Sequence, residues 1–85
     1  MSEPNAHRLK RLKMRSMRRG IKEMDLILST FADRRLDGMS SAELDLYEAL
    51  LVENDQDLYQ WVTGQTHVPD PFGALIGEIA QTFQN

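Results

Sequence analysis

Arg18-Arg19-Gly20-Ile21-Lys22-Glu23 is the one stretch of the 85-residue chain in which side chains capable of recognition stand at a useful spacing. A guanidinium offers N–H donors in a planar fork that matches a carboxylate, and a carboxylate accepts from cations and from backbone N–H groups. Arg19 and Glu23 are four apart, so on continuous helix they share a face, and Gly20 between them leaves room for another backbone to approach. The same residues have a structural reading. Glycine costs about 0.8 to 1.0 kcal/mol relative to alanine inside a helix, so Gly20 is expected between two helices. As an N-cap it places Glu23 at the third helical position, where the carboxylate can reach back to the Gly20 N–H. From the residues alone the capping role is favoured over binding.

Catalytic chemistry finds little support elsewhere. Ser40 is better explained as a helix cap, Ser29 falls on a polar helix side, and His7 and His67 lie in a tail and a loop, so no nucleophile and base converge. Glu23 and Asp25 point to different sides of a helix. The absence of cysteine excludes a disulfide framework, a thiolate zinc site and a Cys nucleophile. Asp55-Gln56-Asp57 lacks the rest of a calcium loop and serves as a helix start, and no metal site is expected. No glycine-rich loop follows a strand, so neither a P-loop nor a dinucleotide fingerprint is present. Gly73 and Gly77, four apart, are expected to let α-helices pack closely.

Composition describes a soluble globule, with 41% hydrophobic and 27% charged residues. No apolar run approaches the roughly 18 residues of a spanning helix, so membrane insertion is not expected. The net charge of -3 conceals a division: residues 1–22 carry eight Lys or Arg against one acid, and residues 23–85 carry two against twelve. Such a basic arm suits nucleic acid, anionic lipid or an acidic protein, or else a helix attracted to its own acidic body. The arm contains no aromatic residue, which disfavours binding to single-stranded nucleic acid, where bases stack on aromatic rings. Tyr47, Tyr59 and Trp61 read as core or interface.

The elements that must position these residues are helical. Residues 1–5 are expected to be a flexible tail and 6–85 a single helical domain. A short basic helix spans about 6–17, carrying Leu9, Leu12, Met14 and Met17. Ile21, Met24, Ile27, Leu28 and Phe31 repeat at three and four and define a second helix. Ser40-Ser41-Ala42-Glu43 is a capping box that opens a third, with Leu44, Tyr47, Leu50 and Leu51 inward. A cap within Glu53-Asn54-Asp55 opens a fourth, with Leu58, Trp61 and Val62 inward and Gly64 ending it in the left-handed conformation. Asp70-Pro71 is expected to start a fifth, along which Phe72, Leu75, Ile76, Ile79 and Phe83 form a stripe. The fold class is therefore all-α, a compact bundle of five short helices.

In that order, Arg18-Arg19-Gly20-Ile21-Lys22-Glu23-Met24-Asp25-Leu26-Ile27-Leu28, Phe31-Ala32, Leu50-Leu51 and Asp55-Gln56-Asp57-Leu58-Tyr59-Gln60-Trp61 with Gly64 resemble the flavinylation factor family of succinate dehydrogenase. These small proteins are marked by an Arg-Gly-x-x-Glu motif. The motif alone is weak; joined to the Asp-Leu-Tyr-x-Trp block it becomes specific. The resemblance covers about 15–64, and nothing is carried over to 65–85. It implies a chaperone-like assembly factor, not an enzyme, that binds the flavoprotein subunit of succinate dehydrogenase, and in some bacteria of fumarate reductase. The factor promotes covalent FAD attachment to a histidine of that subunit; the FAD belongs to the client, and no cofactor of the factor's own is implied. Arg19, Gly20 and Glu23 carry over as partner-binding residues, with Arg18 and Asp25 beside them, which reverses the preference for a capping role. Arg19 is then expected to be exposed with Glu23 near it, and Arg19→Ala and Glu23→Ala to fold normally. A monomer is expected, cytoplasmic in a bacterium, with the mitochondrial matrix as the eukaryotic counterpart and the bacterial reading favoured. A small nucleic-acid-binding module using the basic helix is the alternative.

Overall fold

The computed structural model describes residues 4–84, which form α1 (Asn5–Arg15), α2 (Lys22–Arg35), a 3-10 turn (Leu36–Gly38), α3 (Ser41–Leu51), α4 (Asp55–Val62) and α5 (Gly73–Gln84). Five helices and no strand among the described residues agree with the all-α expectation. The tail expected at 1–5 lies outside the described residues up to residue 3; Pro4 precedes α1, and its carbonyl accepts from the Arg8 N–H at 3.0 Å. No described helix is long and apolar enough to cross a membrane.

α2 is the central element because its apolar spacing is complete: Met24, Ile27, Leu28, Phe31 and Ala32 are all buried. It packs against α1, α4 and α5. Glu23 and Asp25 lie in its first turn and Arg34 and Arg35 in its last, each sign suited to its end of the helix dipole. Ser40 opens α3 as expected, its Oγ accepting from Glu43 N at 3.2 Å while the Glu43 carboxylate accepts from Ser40 N at 2.8 Å. The Ser40 backbone bond holds the Glu43 carboxyl below its ordinary range. Asn54 caps α4 by accepting from Gln56 N at 2.8 Å, and Gly64 ends it at φ 79°.

Three expectations are corrected. α5 starts at Gly73 rather than at Pro71, because residues 70–72 form a turn closed by Phe72 N on the Pro69 carbonyl, and Phe72 supplies the first helical carbonyl, to Ile76 N at 2.8 Å. That turn sets Phe72 over Trp61, ring centroids 6.0 Å apart, with Phe72 buried and Trp61 only half-buried. Phe83 leaves the stripe and is exposed. Gly73 and Gly77 are exposed too, and a Cβ at either would meet nothing within 4 Å, so neither serves close packing.

α1 ends on a buried polar contact that ties it to α3. Ser16 is fully buried; its Oγ donates to the Leu12 carbonyl at 2.8 Å and accepts from the Tyr47 hydroxyl at 2.6 Å. Tyr47 also packs on Phe31, centroids 5.6 Å apart. Burial pushes the Tyr47 phenol up from 10.0 to about 12. In the unfolded chain the phenol ionises near pH 10, so the stability conferred by a neutral Tyr47 is fully present below about pH 10 and is lost as pH rises toward 12, at up to about 1.4 kcal/mol per pH unit. Denaturant melts across that window should show the decline in the parent and a flatter profile in Tyr47→Phe, which at neutral pH costs about 1 kcal/mol for the lost hydrogen bond.

Candidate functional site

The linker between α1 and α2 is built around the Arg19 side chain. Nε donates to Asp55 Oδ1 at 2.8 Å, and Nη2 lies 2.6 Å from the same oxygen. Nη1 donates to the carbonyls of Arg15 at 3.3 Å and Leu51 at 3.1 Å, and Nη2 to that of Glu53 at 3.4 Å. These acceptors are the last residue of α1, the last residue of α3, the α3–α4 connection and the first residue of α4. A cation is thus set against carbonyls at two helix C-termini, and its counter-charge stands at a helix N-terminus, the favourable sign in each place. The second Asp55 oxygen accepts from the Gly20 N–H. One carboxylate therefore holds both residues of the Arg-Gly pair.

This geometry corrects the expectation of an exposed Arg19. Its side chain is 13% exposed and that of Asp55 15%, and each of the three guanidinium nitrogens donates to an acceptor inside the protein, so no fork is free for a partner. Nor does Arg19 face Glu23. Arg19 lies before the helix, α2 begins at Lys22 after an N-cap at Ile21, and Glu23 is exposed with no side-chain partner among the described residues. Gly20 is not the cap, and it is not left-handed either. The left-handed residue is Arg18, at φ 56°. Its N–H donates to Asp25 Oδ2 at 2.8 Å, while its side chain is exposed. Asp25 thus acts on the backbone, and Arg18 and Glu23 are the members of the group that reach solvent with their charges.

Two residues beside this group are not singled out by the sequence. Asp55 reads locally as a helix start; its pairing partner lies 36 residues away, and the one signal for it was that the two blocks of the resemblance occur in the same chain. Leu26, three residues after Glu23, is 59% exposed; its place off the three-and-four stripe of Met24, Ile27, Leu28 and Phe31 is the signal that sequence offered. The basic arm is largely neutralised from within. Arg8 pairs with Asp45 and Glu48, Arg11 and Arg15 with Glu48, and Lys13 with Asp37. The Arg11 hydrogen bond holds the Glu48 carboxyl below its ordinary range. Among the described residues no three His, Asp or Glu side chains come together to hold a metal.

Removing one member of a largely buried ion pair strands the other, at about 3 kcal/mol. Asp55→Ala and Arg19→Ala are each expected to lose that much in urea denaturation, and the double variant to lose clearly less than the sum. The expectation that Arg19→Ala folds normally is thereby revised. A Cβ on Gly20 would lie 3.1 Å from Asp55 Oδ2, the oxygen that accepts from the Gly20 N–H, and its retreat would turn the carboxylate whose other oxygen holds Arg19. Gly20→Ala should therefore lower stability by about 1 kcal/mol; an unchanged melt would show that the carboxylate yields freely.

Residues 10–83 match the family described as flavinator of succinate dehydrogenase. The chain is 51% identical over 63 residues to succinate dehydrogenase assembly factor 2, mitochondrial, of Debaryomyces hansenii, an alignment covering 71% of this chain and 44% of that protein. It is 39% identical over 80 residues to the protein of the same name in Drosophila grimshawi, covering 92% and 54%. It thus spans about half the length of these relatives. Both come from eukaryotes and both are named as mitochondrial, as is a Meyerozyma guilliermondii relative 48% identical over 63 residues. The expectation of a bacterial, cytoplasmic protein is corrected on that finding.

Proposed function

The chain belongs to the family of flavinators of succinate dehydrogenase, and from that premise we propose that it is a mitochondrial assembly factor that binds the flavoprotein subunit and promotes covalent attachment of FAD to it. The same surface would serve the flavoprotein of fumarate reductase where one exists. FAD is the client's cofactor, and the bond to its histidine forms by the client's own chemistry. The factor contributes no atoms to that bond. It acts by holding the apo-subunit in a conformation that can react.

The observation that carries this reading is the division of the Arg-Gly-x-x-Glu group into an internal half and an external half. Arg19 and the Gly20 N–H are taken up by Asp55, which makes the linker rigid. Arg18 and Glu23 remain exposed, without internal partners for their charges among the described residues, and Leu26 adds an apolar contact one turn beyond Glu23. A rigid edge presenting a guanidinium, a carboxylate and an apolar side chain loses little conformational freedom when it docks. Arg18 and Glu23 then touch the client, and Arg19, Gly20 and Asp25 are positioning residues.

The test is a mixture of purified apo-flavoprotein, FAD and factor, read as flavin fluorescence retained on the client band after denaturing electrophoresis. Arg18→Ala and Glu23→Ala should melt like the parent and each slow attachment about tenfold, the value of one charge-assisted hydrogen bond of about 1.5 kcal/mol. Stimulation at the parental rate by both variants would remove these two side chains from the interface.

A further inference from the structure

The cations of α1 and of the linker up to Arg18 fall into two sets, with Arg19 held apart in the cluster around Asp55. Those that face the body are neutralised there, Arg8, Arg11 and Arg15 by Asp45 and Glu48 and Lys13 by Asp37. Lys10 and Arg18 are exposed, and their side chains have no acidic partner among the described residues. Between them stand two methionines that the core does not take up, Met14 at 62% and Met17 at 49% exposure. His7, Lys10 and Met14 follow one another at three and four residues, so they share a face of the helix. Met14 borders two adjoining concavities. One, of about 430 Å³, is lined by His7, Lys10, Arg11, Met14 and Arg15, and the other, of about 140 Å³, by Met14, Met17 and Arg18. The strip ends at the residue whose left-handed backbone is held by Asp25, a conformation that non-glycine residues adopt sparingly and often at functional positions.

We propose that the outer face of α1 and of the linker that follows it, from Lys10 across Met14 and Met17 to Arg18, is a docking strip for an acidic amphipathic segment of the flavoprotein subunit. The inference rests on the function proposed above and extends its edge along α1. Carboxylates of the segment pair with Lys10 and Arg18, and its apolar side chains lie over the two thioethers, whose flexible, polarisable chains adapt to irregular apolar surfaces. The charge pattern selects protein over nucleic acid. A phosphate backbone needs a run of unpaired cations, and bases need aromatic platforms. Here the run is interrupted by internal ion pairs, the two free cations are separated by an apolar centre, and residues 5–18 contain no aromatic.

The experiment titrates purified apo-flavoprotein subunit against fluorescently labelled full chain, following anisotropy, for the parent, for Lys10→Glu and for Met14→Ser/Met17→Ser. Every substituted side chain is partly or largely exposed, so melts should match the parent; should the double serine variant melt early, Lys10→Glu alone decides. Both variants are expected to bind on the order of tenfold more weakly, with Lys10→Glu also reducing the salt dependence. Parental affinity in both overturns the docking strip while leaving the proposed function standing. A parent that does not bind the subunit defeats the proposed function and the strip with it. If Lys10→Glu instead abolishes a steeply salt-dependent affinity for a single-stranded RNA oligonucleotide and leaves subunit binding unchanged, the strip is a nucleic-acid contact and the proposal fails.

Discussion

The carboxylate of Asp55 is the point on which this small structure turns. It closes on the Arg19 guanidinium with one oxygen and on the Gly20 N–H with the other, and Arg19 in turn gathers carbonyls from the end of α1, the end of α3 and the connection into α4. Three of the five helices, α1, α3 and α4, meet at this cluster, and the linker into α2 runs through it. A domain of this size buries a modest share of its surface, so orientation of helices around a thin core needs polar contacts with defined geometry. A largely desolvated pair supplies that geometry, because the planar guanidinium reaches one carboxylate oxygen and three carbonyls at once in few arrangements. It also explains why Gly20 is a glycine without invoking its conformational freedom. The carboxylate lies where a Cβ would crowd it.

The charge division of the chain has the same origin. Eight of ten Lys and Arg side chains fall in the first 22 residues, yet most of them look inward to Asp37, Asp45, Glu48 and Asp55 rather than outward to a ligand. The exposed pairs contribute little each, but they orient α1 across α3, and the Ser16 to Tyr47 contact then locks its end. Self-complementarity uses up the obvious cations and leaves a small remainder, which is more informative about partners than the total. Lys10, Arg18 and Glu23 with the exposed Met14, Met17 and Leu26 belong to that remainder around the α1–α2 linker.

A motif of this kind can then be understood as two kinds of residue in one short string. Arg19 and Gly20 set the path of the chain between α1 and α2, Asp25 holds the bend by binding the Arg18 N–H, and Arg18 and Glu23 are what the bend displays. Collapse of the linker and loss of an exposed charge are separable effects of substituting them, and stability measured beside partner binding tells the two apart.

The helices were legible in the sequence because their causes are local. The three-and-four spacing of Met24, Ile27, Leu28 and Phe31, the Ser40 to Glu43 box and the glycine at 64 act over a few residues, and all appear where the string places them. The start of α5 was misplaced because Asp70-Pro71 suits a cap equally well as a turn, and only the packing of Phe72 on Trp61 distinguishes the two. The site divided in the same way. That Arg18, Arg19, Gly20, Glu23 and Asp25 lie together along one short linker and the first turn of α2 could be read from their order. Which of them face inward could not, because Arg19 is paired across 36 residues of chain and a guanidinium looks the same in sequence whether it meets a client or Asp55. Periodicity determines which side of a helix is buried; which charge is already satisfied depends on the acids that other helices bring beside it, and only the tertiary structure decides that.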